Sequence, residues 1–563
     1  MKKIICIAFA FACIASLKAS ACTNVIITPG ASVDGSSMVS YAADSHVLYG
    51  ELYFRKAAKH KAGSMLEICD WDSRVLRGEI PQVPYTYQRV GNMNEHQLII
   101  GETTFGGRSG LENEDGIMDY GSLIYVTLER ARTAREAIST IVSLANEYGY
   151  PSEGESFTIA DTKEVWVMDL IGKGSEKGIV WVARRIPDGY ICAHANQSRI
   201  TTFPQNDPDN CMFAPDVVDF ARRKGWYSGS DEDFSFRDAY NPLDFSGARA
   251  CEARVWSAFN ILCDGEFTYM NKDGASVSEP ASRYLDFAMG YDLAGEMPLF
   301  VKPSRKISVK DVADVMRDHY EGTPMDMTTD AGAGGNALPY RWRPMSFSVD
   351  GKKYVNERAI ATQQTAFWFV AQSRGSLPDE IGGLFWFGCD DAATSWITPI
   401  YASVSRVPDC FREGNGDILH YSPTSAFWIC NRVANACYKM YDHMAAYARK
   451  AIDAFENACI SQIPSVDERA MGYLDKGRVR KARKFLTRYS VETAQVQFAA
   501  WVKMEQTLLV KFIDGNVKAQ DENGEFVSAP QYQGMPSGLT QPGYTDKWKE
   551  TVAKDNGKVL EER

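Results

Sequence analysis

An apolar run at the start of the chain stops at Ala19-Ser20-Ala21, and the next residue, with no spacer, is a cysteine heading a β-rich stretch: Cys22 followed by TNVIIT (Thr23 to Thr28). Lys2 and Lys3 precede the run, which covers Ile4 to Leu17, and the small residues at 19 and 21 suit a signal peptidase. The run is shorter than the ~20 residues a membrane-spanning helix needs, and no later segment is as long and as apolar as a span requires. Residues 1–21 are therefore predicted to be a signal peptide, the mature chain to be exported (periplasmic or secreted) without a transmembrane segment, and Cys22 to become its first residue. A chain built this way must start a strand at its own N-terminus.

An N-terminal cysteine carries a thiol and a free α-amine on one residue. The amine, with an ordinary pKa of about 7.7–8.0, can take the thiol proton as a histidine does in a Cys-His pair. The competing reading is a peptide-binding lipoprotein, with the thiol alkylated and the amine acylated. Two features oppose it. Ala19 stands where a lipobox prefers leucine, and Cys22 enters a strand directly, without the polar tether that separates a lipid from its domain.

The 563 residues are 45% hydrophobic and 24% charged, a folded composition with room for one enzyme-sized body and additions. With 61 basic against 72 acidic residues the net charge is -11, which disfavours a nucleic-acid partner. Removing residues 1–21 takes three lysines and no acid, so the balance becomes 58 to 72; it also takes Cys6 and Cys13 of the thirteen cysteines. The eleven that remain are an odd number, as expected if one acts as a nucleophile. The chain contains no His-Glu-x-x-His, no Cys-x-x-Cys and no Gly-x-Ser-x-Gly, so zinc hydrolases and serine esterases lack their motifs.

An ordered series of segments then narrows the reading. It runs from Cys22-Thr23 through Asp34-Gly35-Ser36, Asp44-Ser45 and Asn94-Glu95-His96 to FTIADTKEVWVMD (Phe157 to Asp169) and ARRIPDGYICAHANQSRI (Ala183 to Ile200). It continues in Ala253-Arg254-Val255-Trp256, His319-Tyr320-Glu321-Gly322-Thr323 and GGLFWFGCDDAATSWITPIY (Gly382 to Tyr401). In this the chain resembles the dipeptidase-A family of N-terminal nucleophile cysteine peptidases, relatives of bile-salt hydrolases and penicillin V acylases. The resemblance implies an α+β fold, a four-layer αββα sandwich in which the catalytic cysteine starts a central strand. It implies a cysteine dipeptidase acting on short peptides through an acyl-enzyme, with no metal or organic cofactor. An amidase of non-peptide acyl amides is the alternative within hydrolases.

Further roles follow from the resemblance. Asn196, in His194-Ala195-Asn196-Gln197, matches the family's oxyanion-stabilising asparagine; read alone it is a turn residue or, with Gln197-Ser198, a glycosylation sequon. Asp44 matches the aspartate that holds the nucleophile's amine and thiol. Arg254 matches an arginine beside the cysteine, and read alone is equally a surface residue of a helix over 252–262. The family commonly has an arginine three residues before that aspartate, where this chain has Tyr41; either the phenol hydrogen-bonds in its place or another cation substitutes. His194 and His46 invite a Cys-His reading that an amine base makes unnecessary.

Local patterns agree with such a fold. Phe157 to Asp161 and Glu164 to Asp169 read as a hairpin about Thr162-Lys163, with strands near 180–186 and 190–194 to follow. Thr133 to Glu136 reads as a capping box opening a helix that Gly149 ends. The expected organisation is a signal peptide (1–21), a catalytic domain (22–423), a helical C-terminal extension (424–514) with a charged linker before its second helical block at 490–512, and a loosely ordered tail (515–563).

Overall fold

The computed structural model describes residues 22–562; the expected signal peptide lies outside the described residues. The chain begins with β1 (Asn24–Ile27) and turns back as β2 (Ser37–Asp44). Then come β3 (Ile99–Gly106), the helices α1 (Tyr120–Leu128) and α2 (Ala134–Tyr148), and a run of strands: β4 (Gly154–Ala160), β5 (Val165–Gly172), β6 (Ile179–Arg185) and β7 (Ile191–His194). Helices α3 (Ala253–Leu262) and α4 (Val309–Val315) lead to β8 (Thr365–Ser373), β9 (Gly383–Cys389) and β10 (Thr398–Tyr401). The chain is thus mixed α and β.

Two antiparallel sheets form the centre. One has the order β7-β1-β2-β8-β9-β10. The other runs from Cys211–Phe213 through β6, β5, β4 and β3 to three short strands, Met93–Asn94, Arg89–Val90 and Phe54–Arg55. Every residue of β1, β2, β4, β5, β8 and β9 is buried, and β5, β8 and β9 accordingly read as near-continuous apolar runs rather than as alternating patterns. The sheets approach closely where β1 and β2 cross β3. A Cβ on Gly101 would lie 2.4 Å from Asn24 Oδ1 and 3.4 Å from Val39, so only glycine permits this spacing. Helix α2 lies against β4 and β6, and α3 and α4 lie against the other sheet.

The hairpin expected about Thr162-Lys163 is β4–β5, closed by the Asp161 amide donating to the Glu164 carbonyl. Helix α2 starts as expected, with the Thr133 side chain accepting from the Glu136 amide. The return half of the capping box differs: the Glu136 carboxylate accepts from the Arg132 amide, one residue before the cap.

Past the sheets, α5 (Ala426–Cys437), α6 (Tyr441–Leu474) and α7 (Val479–Phe512) cover the β9–β10 edge. The basic stretch expected to be a linker is mostly the first turns of α7, because Arg and Lys are good helix formers and nothing after Gly477 breaks the helix. The helices are tied to the sheet by apolar and ionic contacts. Trp501 packs on Trp396 with ring centres 5.2 Å apart, Arg317 pairs with Glu456 at 2.5 Å, and Arg374 pairs with Asp467 at 2.6 Å. Both ion pairs are largely withdrawn from solvent. No helix among the described residues is long and apolar enough to cross a membrane. Where composition leads one to expect a loose tail, residues 517–540 form two small two-stranded sheets and a helix follows at Asp546–Leu560, with no side chain of that helix buried.

Candidate active site

The register of β1 with its two neighbours builds the site. Asn24 pairs with His194 on β7, so the same register carried two residues further sets Asn196 opposite Cys22. On the other side Ile26 pairs with Val39 and Thr23 with Ala42, which brings Cys22 opposite Ala43 and next to Asp44. Strand β3, in the second sheet, passes beneath and supplies Glu102 and Thr104.

Cys22 is 1% exposed. Its Sγ lies 3.6 Å from Tyr41 Oη and 3.6 Å from Glu102 Oε1, and the Tyr41 hydroxyl donates to the same Glu102 oxygen at 2.5 Å. Burial, and after it the charges of Glu102 and Asp44, push the thiol well above its ordinary pKa. A thiol so placed is protonated at rest, so it reacts only with a base in contact.

Arg254 ties Cys22 to Asn196. It is 1% exposed, so its reading as a surface residue of a helix does not apply. Nη1 donates to the Cys22 carbonyl at 2.5 Å and to Thr23 Oγ1 at 2.8 Å, while Nη2 donates to the Ala195 carbonyl at 3.0 Å and to Asn196 Oδ1 at 2.9 Å. Asn196 Nδ2 donates to the Thr104 carbonyl at 2.7 Å. With its oxygen on Arg254 and one N–H on Thr104, the Asn196 side chain keeps one N–H to donate. Its backbone is left-handed, at φ 62°, a conformation asparagine tolerates better than most side chains. The loop is anchored from below by Asp169, which accepts from Ser198 Oγ at 2.7 Å and from the Arg199 and Ile200 amides.

Asp44 is fully buried, forms an ion pair with Arg358, and accepts from Thr365 Oγ1 at 2.6 Å. Burial pushes its carboxyl up against the opposing pull of Arg358, Thr365 and Arg254. This answers the question raised by Tyr41. The phenol turns to Cys22 and Glu102, and the cation beside Asp44 comes from Arg358, far away in sequence. All four expected residues therefore surround one point; Glu102 at the thiol, Arg358 on Asp44, and Glu155 on β4, which lies against Glu102, are additions that motif matching missed. A signal for the two glutamates exists in the sequence: each interrupts a strand of otherwise apolar, small or hydroxyl side chains, where a carboxylate is costly to bury without a partner.

His194 is not available as a base. Its Nδ1 and Nε2 are both taken, by Thr103 Oγ1 and Thr158 Oγ1, each at 2.7 Å. Burial, with the Arg199 charge, pushes the ring down to about 3. The folded state therefore requires the neutral ring, while the unfolded ring protonates near 6.5. This contribution to stability is complete above about pH 6.5 and is lost as pH falls toward 3. His194→Gln is expected to lower Tm at neutral pH and to flatten the acid limb of a Tm-versus-pH curve by one proton, measured by thermal melts between pH 4 and 7.

The ten cysteines from Cys69 to Cys459 are thiols rather than disulfides. Among the described residues no group of three or more His, Cys, Asp or Glu side chains is arranged to hold a metal ion.

Comparison with known proteins agrees with the geometry. The model of Peptidase family C69 matches residues 67–454, a span that includes Glu102, Asn196, Arg254 and Arg358 and begins after Cys22 and Asp44. The chain is 24% identical over 419 residues to a "Probable dipeptidase" of Latilactobacillus sakei, covering 70% of this chain and 77% of that protein. It is 25% identical over 442 residues to "Probable dipeptidase A" of Streptococcus pyogenes serotype M3 (strain SSI-1), covering 75% and 84%. To "Dipeptidase A" of Lactobacillus helveticus it is 21% identical over 471 residues, covering 79% and 87%. The chain belongs to peptidase family C69 and is thereby a hydrolase of the peptidase class.

Proposed function

We propose that the protein is an exported cysteine dipeptidase whose nucleophile is the mature N-terminal Cys22, carried on an αββα N-terminal nucleophile hydrolase body (22–423) with a helical extension (424–514). One observation carries the reading: Cys22 heads a central strand with Asn196, Arg254 and Asp44 gathered about it from three other segments. In this reading cleavage after Ala21 turns the Cys22 nitrogen from an amide, which binds no proton, into an amine that does.

The amine takes the thiol proton and the thiolate attacks the peptide carbonyl carbon. The carbonyl oxygen becomes an oxyanion, which the remaining Asn196 side-chain N–H stabilises. The C–N bond breaks as the ammonium of Cys22 returns its proton to the leaving amine, leaving a thioester. Water, deprotonated by the same amine, attacks the thioester; the acid leaves and the thiol is restored. The raised thiol favours this assignment, since a thiol held protonated by burial gains most from a base on its own residue. Arg254 positions both partners of the attack, and Asp44, with Arg358, orients the amine.

The test is competition between alanyl-alanine and two non-peptide amides, penicillin V and a conjugated bile salt. Preferential hydrolysis of the dipeptide supports the reading, and activity confined to the other amides replaces it with the amidase alternative. Intact mass of the exported protein decides the lipoprotein alternative, since a lipid on Cys22 adds hundreds of daltons.

A further inference from the structure

Beside the nucleophile, a cleft of about 510 Å³ opens between the tip of the 65–81 hairpin and the ends of β3 and β4, with Trp71, Asp72, Thr104, Tyr120 and Glu155 in its lining. The lining is acidic, but most of its carboxylates are already committed. Asp119 caps α1, accepting from the Gly121 and Ser122 amides; Asp70 accepts from Ser73 and pairs with Arg77 at 3.1 Å; Asp72 accepts from Tyr120 Oη at 2.9 Å. Glu155 differs. It is completely buried, its Oε1 accepts from Thr104 Oγ1 at 2.7 Å, and Oε2 meets no donor side chain or amide among the described residues, its neighbour being the Glu102 carboxyl. Glu102 Oε2, next to it, is in the same condition.

Two adjacent buried carboxyls are costly unless a proton or a cation lies between them. Burial, and next the Glu102 charge, drive Glu155 well above the ordinary carboxylate range, so the pair shares a proton when no cation is beside it. An ammonium group would bring the same positive charge together with three N–H donors. Distance then selects which ammonium. A carbonyl carbon about to be attacked sits about 3–3.5 Å from the nucleophile, and the α-nitrogen of the same residue is about 2.5 Å from that carbon. Glu102 Oε1 is 3.6 Å from Cys22 Sγ, within reach of that nitrogen and too near for the end of a long side chain.

We propose that Glu155 and Glu102 together bind the free α-ammonium of the residue whose carbonyl is attacked, so that the enzyme measures one residue from the amino terminus and requires an unblocked peptide. This rests on the dipeptidase reading above and adds to it the group that sets substrate length.

The test compares alanyl-alanine with propionyl-alanine, which lacks only the amine, with N-acetyl-alanyl-alanine, and with N-acetyl-lysyl-alanine, which keeps an ammonium only on its side chain. The wild-type enzyme is expected to lose kcat/KM by about 100-fold or more on each of the three analogues, the behaviour of a site whose buried polar groups are left unpaired. Glu155→Gln, nearly isosteric, is expected to raise KM for alanyl-alanine and to shrink the alanyl-alanine to propionyl-alanine ratio to about 10-fold or less. Partial misfolding lowers both rates together and leaves that ratio unchanged. Equal rates on alanyl-alanine and propionyl-alanine would overturn the proposal while leaving the dipeptidase intact, as would an unchanged ratio in Glu155→Gln. Efficient cleavage of N-acetyl-lysyl-alanine would overturn it by moving the ammonium to the side chain. Failure of the dipeptidase reading itself is distinct: no alanyl-alanine hydrolysis, with penicillin V or bile salt still cleaved.

Discussion

Cys22→Ser is expected to reduce kcat by on the order of 10⁴-fold while changing Tm by only a few degrees. The substitution keeps a hydroxyl where the thiol was, in a pocket that is 1% exposed, so packing changes little. The chemistry changes much more. An amine with an ordinary pKa of about 7.7–8.0 lies much closer to a thiol than to an alcohol, which it is far too weak to deprotonate. Mass spectrometry after rapid quenching adds a second readout: the wild-type protein should carry the acyl group of a slow substrate on Cys22, and the serine variant should carry none. Full activity in the variant would remove Cys22 from the mechanism.

A chain in which Ala21 remains attached to Cys22 is expected to lose 10²- to 10⁴-fold in activity, the usual contribution of a positioned general base, and to regain it when the extra residue is removed. The thiol, Asn196 and Arg254 are all present in such a chain, since Arg254 contacts the Cys22 carbonyl and not its nitrogen. Only the proton acceptor is missing. Activity of the mature enzyme should also fall as pH drops below the pKa of the amine, because the ammonium cannot accept the thiol proton. Equal activity in the extended and trimmed chains would shift the base elsewhere, with Glu102, 3.6 Å from the thiol, as the nearest carboxylate. The measurement is initial rates on alanyl-alanine, normalised to titrated thiol.

Much of this site was legible before any coordinates. Cys22 stood out because a cleavage pattern and a strand pattern met on one residue, and the β4–β5 hairpin and α2 could be read from turn and cap chemistry within a few residues. Those are local signals. Asn196, Asp44 and Arg254 were legible only through resemblance, since each is ordinary alone: a turn asparagine, a loop carboxylate, an arginine on a helix. Arg358 was not legible at all. It lies 314 residues from the Asp44 it pairs with, and nothing in its own neighbourhood marks it.

The sequence by itself singled out Cys22, because a cleavage pattern and a strand pattern meet on that one residue and need no partner from elsewhere to be recognised. It also marked the β4–β5 hairpin and the start of α2, because turn and cap chemistry act between residues next to one another. Only the tertiary structure decided which charges meet at the nucleophile. Antiparallel pairing carries Asn196 and Asp44 to Cys22 from opposite sides, close sheet packing over Gly101 brings Glu102 up beneath it, and Arg358 takes the cationic place that Tyr41 leaves vacant. Electrostatic energy depends on distance through space, and the distances that matter here span segments up to some three hundred residues apart along the chain.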